Sequence, residues 1–277
     1  MQLLLLTHRP RRHTARRLEQ AAVALGHTLA AVDPSALWVT ADCVWDARGR
    51  RVPSGAVWWR PGGVARGHAL GIVEALERKG AACWASPAAL GALFPAWRAL
   101  TAAAAAGLPV ARFAAVANAR QASRASAKLG PGPKVLTAYR AQGERLMVRT
   151  GAAAAATAAA QVLWRDGATG EVALAGPRRR LLVVGTAVVA AVESRDGRLA
   201  PHRASRAEME LAAAASRVLA LPVLGLDLAG TSAAPQLAGV SPAPALEGAE
   251  AACGLDLARP MVEAWVAWTG QGWTGQG

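Results

Sequence analysis

A single carboxylate stands in a pattern that is typical of a divalent-metal site. Asp227 lies in the apolar stretch GLDLAG, and a small-residue turn separates it from a second apolar stretch that ends at Ser241. Both stretches are typical of short strands in a hairpin. Mg²⁺ needs several oxygen ligands in near-octahedral order, and the second strand offers no carboxylate. The sequence predicts either a metal site that has lost most ligands or a strand-end aspartate that caps a turn.

A run of three arginines is the second group that could do chemistry. Arg178, Arg179 and Arg180 are consecutive, and adjacent cations concentrate positive potential that can hold an anion or an acidic partner. Alternate residues of a strand point to opposite faces, so the run is equally consistent with a solvated strand surface. We keep both interpretations.

A basic segment near the N-terminus, Arg9 to Arg17, could bind nucleic acid. Binding of single strands usually combines basic groups with aromatic side chains on which bases stack, and no aromatic residues interleave this segment. Arg16 and Arg17 also begin a helical pattern. A basic nucleic-acid-binding protein is therefore the third of three functional hypotheses.

Composition favours a globular protein with a basic surface. The 277 residues are 53% hydrophobic and carry a formal net charge of +13, which suits an acidic partner. Cys43, Cys83 and Cys253 are far apart, which argues against a disulfide framework or a zinc site and fits a reducing cytoplasm. Because no charge-free run of about 18 apolar residues occurs, we expect no membrane span.

The first part of the chain alternates strand and helix patterns, which predicts a parallel sheet with crossover helices over residues 1–90. Its apolar strands are MQLLLLT, TLAAV, AVWW and AACW. The tryptophans at 58, 59, 84 and 97 are expected to pack where this domain meets the middle of the chain, rather than to form a stacking surface.

The remaining sequence predicts α+β units. Two pairs of apolar stretches are typical of hairpins: PKVLTAY with ERLMVRT, and RRRLLVV with AVVAAVES around Gly185. Ser205 followed by Glu208 predicts a capping box at the start of a helix. The alanine-rich run after residue 150 favours helix, and WTGQG repeats in the tail. We expect subdomains at 91–165 and 166–269 and a flexible tail at 270–277.

In this order the sequence resembles the RimK-type ATP-grasp ligases, glutamate ligases that join an amine to an ATP-activated carboxylate. The resemblance runs from about residue 1 to 269 and is carried by the following stretches: RRLEQAAVALGHTLAAVDP, LLVVGTAVVAAVESR, the pair His202 and Arg203, GLDLAG, and PALEGAEAACGLDLARPMVEAWV. It implies an ATP-grasp fold of α/β and α+β units, with an N-terminal Rossmann-like pre-ATP-grasp domain.

The resemblance also implies phosphate-binding groups that this chain lacks. The positions of two phosphate-binding lysines fall at Ala96 and Thr137, and Lys134 lies on the opposite face of the strand. The glycine-rich loop falls on AQGER, where Gln142 and Gly143 remain. The adenine-contacting segment lies within 162–175 and cannot be aligned.

The metal ligands that the resemblance implies are an aspartate, a glutamate and an asparagine. Asp227 keeps the first position, but the other two are Gly239 and Ser241. Arg180 matches a phosphate-facing arginine whose acidic neighbour is replaced by Arg178. His202 and Arg203 match a pair near the acceptor site, without the upstream asparagine.

We therefore expect a catalytically degenerate ATP-grasp protein with no catalytic residues and no required cofactor. Its partner would be a peptide, a protein or an active ATP-grasp paralogue, in a homo- or hetero-oligomer. The resemblance implies that acceptors and products are often glutamate-rich. The alternative is an active ATP-dependent carboxylate–amine ligase that binds ATP and Mg²⁺ and uses Lys134, Arg145 and Arg180 in new roles.

Overall fold

The computed structural model describes nine stretches of the chain, and the structural statements below concern these stretches only. They are residues 1–53, 55–60, 66–92, 97–131, 133–139, 145–150, 169–174, 178–195 and 198–270. The alanine-rich run after residue 150 and the repeat tail from 271 lie outside them.

The first sheet is parallel and has the strand order β2-β1-β5-β6. It is formed by β1 (Gln2–Leu6), β2 (Thr28–Val32), β5 (Ala56–Trp59) and β6 (Ala82–Cys83). Helices α1 (His13–Ala24) and α2 (Arg66–Arg78) connect its strands, as the alternating sequence pattern predicts. A two-stranded hairpin, β3 (Leu37–Val39) with β4 (Val44–Asp46), was not predicted. Two helices follow, α3 (Pro87–Ala92) and α4 (Trp97–Ala105).

The second sheet is antiparallel, with the order β7-β10-β8-β9. Its strands are β7 (Phe113–Val116), β8 (Lys134–Tyr139), β9 (Arg145–Thr150) and β10 (Thr169–Leu174), and helix α5 (Ala119–Lys128) packs on it. The predicted hairpin of β8 and β9 is present, with Lys134 opposite Thr150. Strand β10 was not predicted and lies between β7 and β8.

The third sheet is antiparallel, with the order β13-β12-β11-β14-β15. Its strands are β11 (Arg179–Val184), β12 (Ala187–Arg195), β13 (Arg198–Pro201), β14 (Val223–Gly230) and β15 (Pro235–Ser241). Helix α6 (Arg206–Leu219) packs across it, and α7 (Glu247–Cys253) and α8 (Ala258–Gly270) follow. Gly185 turns the β11–β12 hairpin at φ 60°, a left-handed conformation that glycine adopts without strain.

The first and third sheets share their hydrophobic cores, whereas the second sheet has a small core of its own. Trp58 and Trp84 are buried against Trp265 of α8, with the rings of Trp84 and Trp265 stacked 5.7 Å apart. Trp58 and Trp84 therefore pack against the C-terminal helix rather than the middle of the chain, whereas Trp59 is buried in a cluster that includes Leu100 of α4, as expected. None of the described helices has both the length and the apolar character that a membrane span requires.

Candidate functional site

The position expected to hold a metal lies on strands β11, β14 and β15 of the third sheet. Arg180 on β11, Asp227 on β14 and Gly239 on β15 are direct cross-strand neighbours. Cross-strand neighbours project to the same face of a sheet, and Arg178 and Ser241 follow on that face at a spacing of two. The register of the three strands thus gathers all five residues that the sequence singled out around Asp227.

The carboxylate of Asp227 is held by an arginine. Arg180 donates from Nε to Oδ1 at 2.7 Å and from Nη2 to Oδ2 at 2.9 Å. The Nη1 atom of Arg178 lies 4.0 Å from Oδ2. Hydrogen bonding to Asp227 raises the pKa of Arg180, outweighing the opposite effect of desolvation. A two-bond arginine–carboxylate pair is directional and is stronger than a hydrogen bond between neutral groups. Both oxygens of Asp227 therefore already have a cationic partner.

On the neighbouring strand, a side chain at position 239 would crowd the carboxylate of Asp227 in this arrangement. A Cβ atom added to Gly239 would lie 3.1 Å from Oδ2 of Asp227 and 3.3 Å from its Cβ, so the aspartate side chain covers the glycine. The hydroxyl of Ser241 accepts a hydrogen bond from the N–H of Ala243 at 3.4 Å. In the described stretches, no group of three or more His, Cys, Asp or Glu side chains is arranged so that it could hold a metal ion. These residues do not fit Mg²⁺, which requires several oxygen ligands.

Arg179 is separated from Arg178 and Arg180 by the alternation of the strand. It is 8% exposed, its Nε donates to Oε1 of Glu208 on α6, and its Nη1 donates to the carbonyl of Gly230 at 2.9 Å. The expectation of a single three-arginine surface therefore needs correction. Only Arg178 and Arg180 share the face of Asp227, because successive side chains of a strand point in opposite directions.

His202 belongs to the same buried cluster as Arg179. Its Nε2 lies 2.9 Å from Oε2 of Glu208, and that oxygen also accepts the N–H of Ser205 at 2.8 Å. The capping box predicted from Ser205 and Glu208 is present at the start of α6. Arg203 is exposed and lines an open groove of about 490 Å³ together with Met209. His202 lines the same groove, so the two residues of the pair share one surface, although only His202 is held by Glu208.

Glu208 is fully buried, and its surroundings have opposing effects on the pKa of its carboxyl group. Desolvation alone would raise the pKa of its carboxyl group. The hydrogen bonds from Ser205, His202 and Arg179, together with the charge of Arg179, outweigh burial and lower that pKa below 4.5. The cluster joins β11, the start of α6 and the end of β14, and its geometry is that of a structural ion pair.

The remaining expected residues lie in the second sheet or outside the described stretches. Thr137 is 1% exposed in the middle of β8. Lys134, at the start of that strand, is 3% exposed and donates from Nζ to the carbonyl of Gly130 at 2.7 Å. Ala96, Gln142 and Gly143 are outside the described residues, as are 162–168 and 175 of the adenine-contacting segment, whose residues 169–174 form β10.

Sequence reasoning missed a second basic site in the first sheet. His8 follows β1 and Arg60 follows β5, and both line a cavity of about 360 Å³ at the carboxyl ends of these strands. Ligands of open parallel sheets commonly bind at that edge. The signal was available in the sequence. The apolar run AVWW is followed directly by Arg60, and the run LLLL is followed by Thr7 and then His8.

Comparison with solved structures assigns the fold. A RimK-domain ATP-grasp protein from Sphaerobacter thermophilus superimposes with a TM-score of 0.72 at 20% identity, over 96% of this chain and 100% of that one. The ATP-grasp ligase PsnB, in complex with precursor peptide PsnA2 and AMPPNP, gives 0.69 at 17% identity over 97% of both chains. D-cycloserine synthetase DcsG gives 0.70 at 17% identity over 97% and 100%.

This chain has the ATP-grasp fold. The RimK-type resemblance in the sequence is thus confirmed at the level of architecture, which spans about 96% of the chain. No protein-family profile matches the sequence, and no curated protein matches it either. At identities of 13–20% the comparisons describe the fold alone, so the activity of this ATP-grasp chain has to be argued from its own residues.

Proposed function

We propose that this ATP-grasp protein binds a peptide or protein and does not ligate it. The observation that carries the proposal is the two-bond ion pair between Arg180 and Asp227, at 2.7 and 2.9 Å. A carboxylate that neutralises an arginine is a poor anchor for a divalent cation, because the cation would have to displace the guanidinium. The loss of several charge-stabilising groups, each worth about 3–4 kcal/mol of barrier in a comparable site, would leave little catalysis.

Two observations support a peptide or protein as the partner: the charge of this protein and the ligands seen in its structural neighbours. The chain carries a formal net charge of +13, and positive surfaces attract and orient acidic partners. The structures of the ATP-grasp ligase PsnB and of the macrocyclase MdnC both contain precursor peptides. We infer that a peptide, a protein or an active ATP-grasp paralogue is the partner of this chain.

The second candidate is an active ATP-dependent ligase, and one observation favours it. The neighbours that match almost the full chain include ligases, and one PsnB structure contains Mg and ADP. Of the residues that would serve a rebuilt site, Arg180 is paired with Asp227 and Lys134 donates to a backbone carbonyl. An active enzyme that used Arg180 or Lys134 for nucleotide would therefore have to release the corresponding contact.

Nucleotide binding separates the two candidates. A ligand that binds only the folded state raises stability by about 2.7 kcal/mol at 100 times its Kd. We expect no rise in Tm when millimolar ATP and Mg²⁺ are added, and no release of ADP with glutamate and an amine acceptor. A Mg²⁺-dependent rise of several degrees, or ADP release by the purified chain, would establish the ligase instead.

Restoring the missing ligands provides a positive control. In a chain with Ala96→Lys, Thr137→Lys, Gly239→Glu and Ser241→Asn, ATP with Mg²⁺ should stabilise the protein more than it stabilises the parent chain. The matched control carries Gly239→Gln in place of Gly239→Glu, which has nearly the same volume and no charge. Equal responses of the two variants would mean that the carboxylate at 239 is not what the metal lacks.

A further inference from the structure

The cavity in the N-terminal part of the chain has the chemistry of an anion site. It measures about 360 Å³ and lies where β1 and β5 end and α1 begins. Arg9, Arg12 and Arg60 line it, and a single acidic side chain, Glu247, lies on its wall. It is separate from the face of Asp227, none of whose side chains lines it.

Arg60 is largely buried in this cavity and its charge is not neutralised by any carboxylate of the described residues. Its Nη2 donates to the carbonyls of Pro244 at 2.8 Å and Ala243 at 3.3 Å, and its guanidinium lies 5.4 Å from the ring centre of Trp58. Its Nη1 is buried and has no hydrogen-bond partner among the residues that the structure describes. Desolvation lowers the pKa of Arg60 to about 10, so the group remains a cation at neutral pH.

His8 presents a second unpartnered nitrogen at the same cavity. Its Nδ1 lies 3.0 Å from Oδ1 of Asp33, which fixes the orientation of the ring. Its Nε2 is buried and has no hydrogen-bond partner in the described part of the chain. Buried polar atoms in folded proteins are nearly always paired, and an exception in a cavity calls for a ligand or an ordered solvent molecule.

The N-terminus of α1 adds backbone donors. The helix spans twelve residues, its N-cap residue Arg12 makes no side-chain hydrogen bond, and its first turn has no acidic residue. His13, Thr14 and Ala15 of that turn line the cavity. The free N–H groups and the positive end of the helix dipole both favour an anion.

We propose that this cavity binds a carboxylate group of a peptide, through Arg60 and the first turn of α1. The proposal rests on the peptide-binding function proposed above and assigns it a site. A carboxylate fits better than a phosphate for two reasons. Arg60 has only one free terminal nitrogen, and Glu247 on the wall would repel a dianion more strongly than a monoanion.

The carboxylate could come from an acidic side chain or from the C-terminus of a peptide, and two peptides would distinguish these sources. One is N-acetylated, C-amidated hexaglutamate, which offers side-chain carboxylates only, and the other is N-acetylated hexaglycine with a free C-terminus. Fluorescently labelled forms are titrated with the full chain at low and at physiological salt. We expect at least one peptide to bind and to be displaced by excess acetate, since the recognised group is a carboxylate.

Charge-neutral variants show whether binding occurs in this cavity. Arg60→Gln and Arg12→Gln should each raise the Kd by about tenfold, because a charge-assisted hydrogen bond or a nearby cation is lost. The matched control is Arg16→Gln, an exposed arginine of the same helix that does not line the cavity, and it should change the Kd by less than about twofold. The Tm of each variant is measured first, and Arg12→Gln keeps the test valid if Arg60→Gln does not fold.

Several results would overturn the proposal. These are no binding of either peptide, an equal loss of affinity in the Arg16→Gln control, or displacement by inorganic phosphate well below the acetate concentration required. The result is independent of the nucleotide test. A Mg²⁺-dependent response to ATP would reject the non-ligating function and leave the cavity assignment intact, whereas failure here would leave the Arg180–Asp227 argument unchanged.

Discussion

Arg179 and Arg60 are both largely buried, and each donates to two backbone carbonyls, but they differ in one partner. Arg179 has the carboxylate of Glu208 in addition to the carbonyls of Ala229 and Gly230. Arg60 has the carbonyls of Ala243 and Pro244 and an unpartnered Nη1. The first arrangement is complete and structural, whereas the second leaves a cation for a ligand to neutralise.

The comparison explains why the expected and the proposed sites differ. In the third sheet Arg179 pairs with Glu208 on one face and Arg180 pairs with Asp227 on the other. In the N-terminal cavity the cations outnumber the acids that line it. A charge already paired within the protein contributes little to ligand binding, because its pair must first be broken.

The largest effect is expected from Glu208→Gln, which removes the charge partner of Arg179. Breaking a buried ion pair leaves an uncompensated charge and should lower the free energy of unfolding by about 3–5 kcal/mol. Urea denaturation measures it. Glu210→Gln is the matched control, because Glu210 pairs with Arg206 on the exposed face of the same helix. A loss no larger than in the control would mean that the buried pair does not stabilise the fold.

The same pair predicts a loss of stability in acid. The folded-state pKa of Glu208 is lowered from 4.5, so its contribution is complete above that value and is lost as the pH falls through the folded-state pKa. The difference in Tm between the parent chain and Glu208→Gln should therefore shrink as the pH falls below 4.5. A difference that stays constant down to acid unfolding would contradict the assignment.

The comparison of the two arginines is tested most directly by substituting both with methionine. Arg179→Met strands the buried charge of Glu208 and should cost about 3–5 kcal/mol. Arg60→Met strands only neutral carbonyl groups and should cost about 1 kcal/mol. Urea denaturation of both variants gives the two values, and equal losses would show that Arg60 has a structural partner equivalent to Glu208.

The smallest effect is expected from Asp227→Asn. The side chain of Arg180 is 50% exposed, and exposed ion pairs contribute only about 0–1 kcal/mol. The loss should therefore be about 1 kcal/mol or less, measured by urea denaturation at low and high salt. A loss above about 2 kcal/mol would place the pair among the buried structural ones.

Local patterns in the sequence were sufficient for much of the architecture. The alternation of strand and helix predicts the parallel sheet around β1, and the glycine at 185 predicts a hairpin, because both depend on nearby residues. Strand β10 was missed because its place between β7 and β8 is set by pairing with distant segments. The small hairpin of β3 and β4 was missed for lack of a strong turn signal.

The candidate sites were predictable to a smaller degree. The collinear resemblance located Asp227 and the missing ligands around it, and strand alternation alone would have separated Arg179 from its neighbours. The pairing of Arg180 with Asp227 could not be read from the sequence, since it depends on which strands become neighbours. The cavity at Arg60 was missed because Arg60 lies far along the chain from the basic segment at residues 8–13 that lines the same cavity.

By itself the sequence determined the strands and helices of the parallel sheet, the hairpin at Gly185, the capping box at Ser205 and the ATP-grasp order of its parts. Periodicity and capping act over a few residues, so they can be read along the chain. Only the tertiary structure decided which charges are paired. Arg180 meets Asp227 across 47 positions and Arg60 meets Pro244 across 184, and strand register and packing alone fix such distant partners.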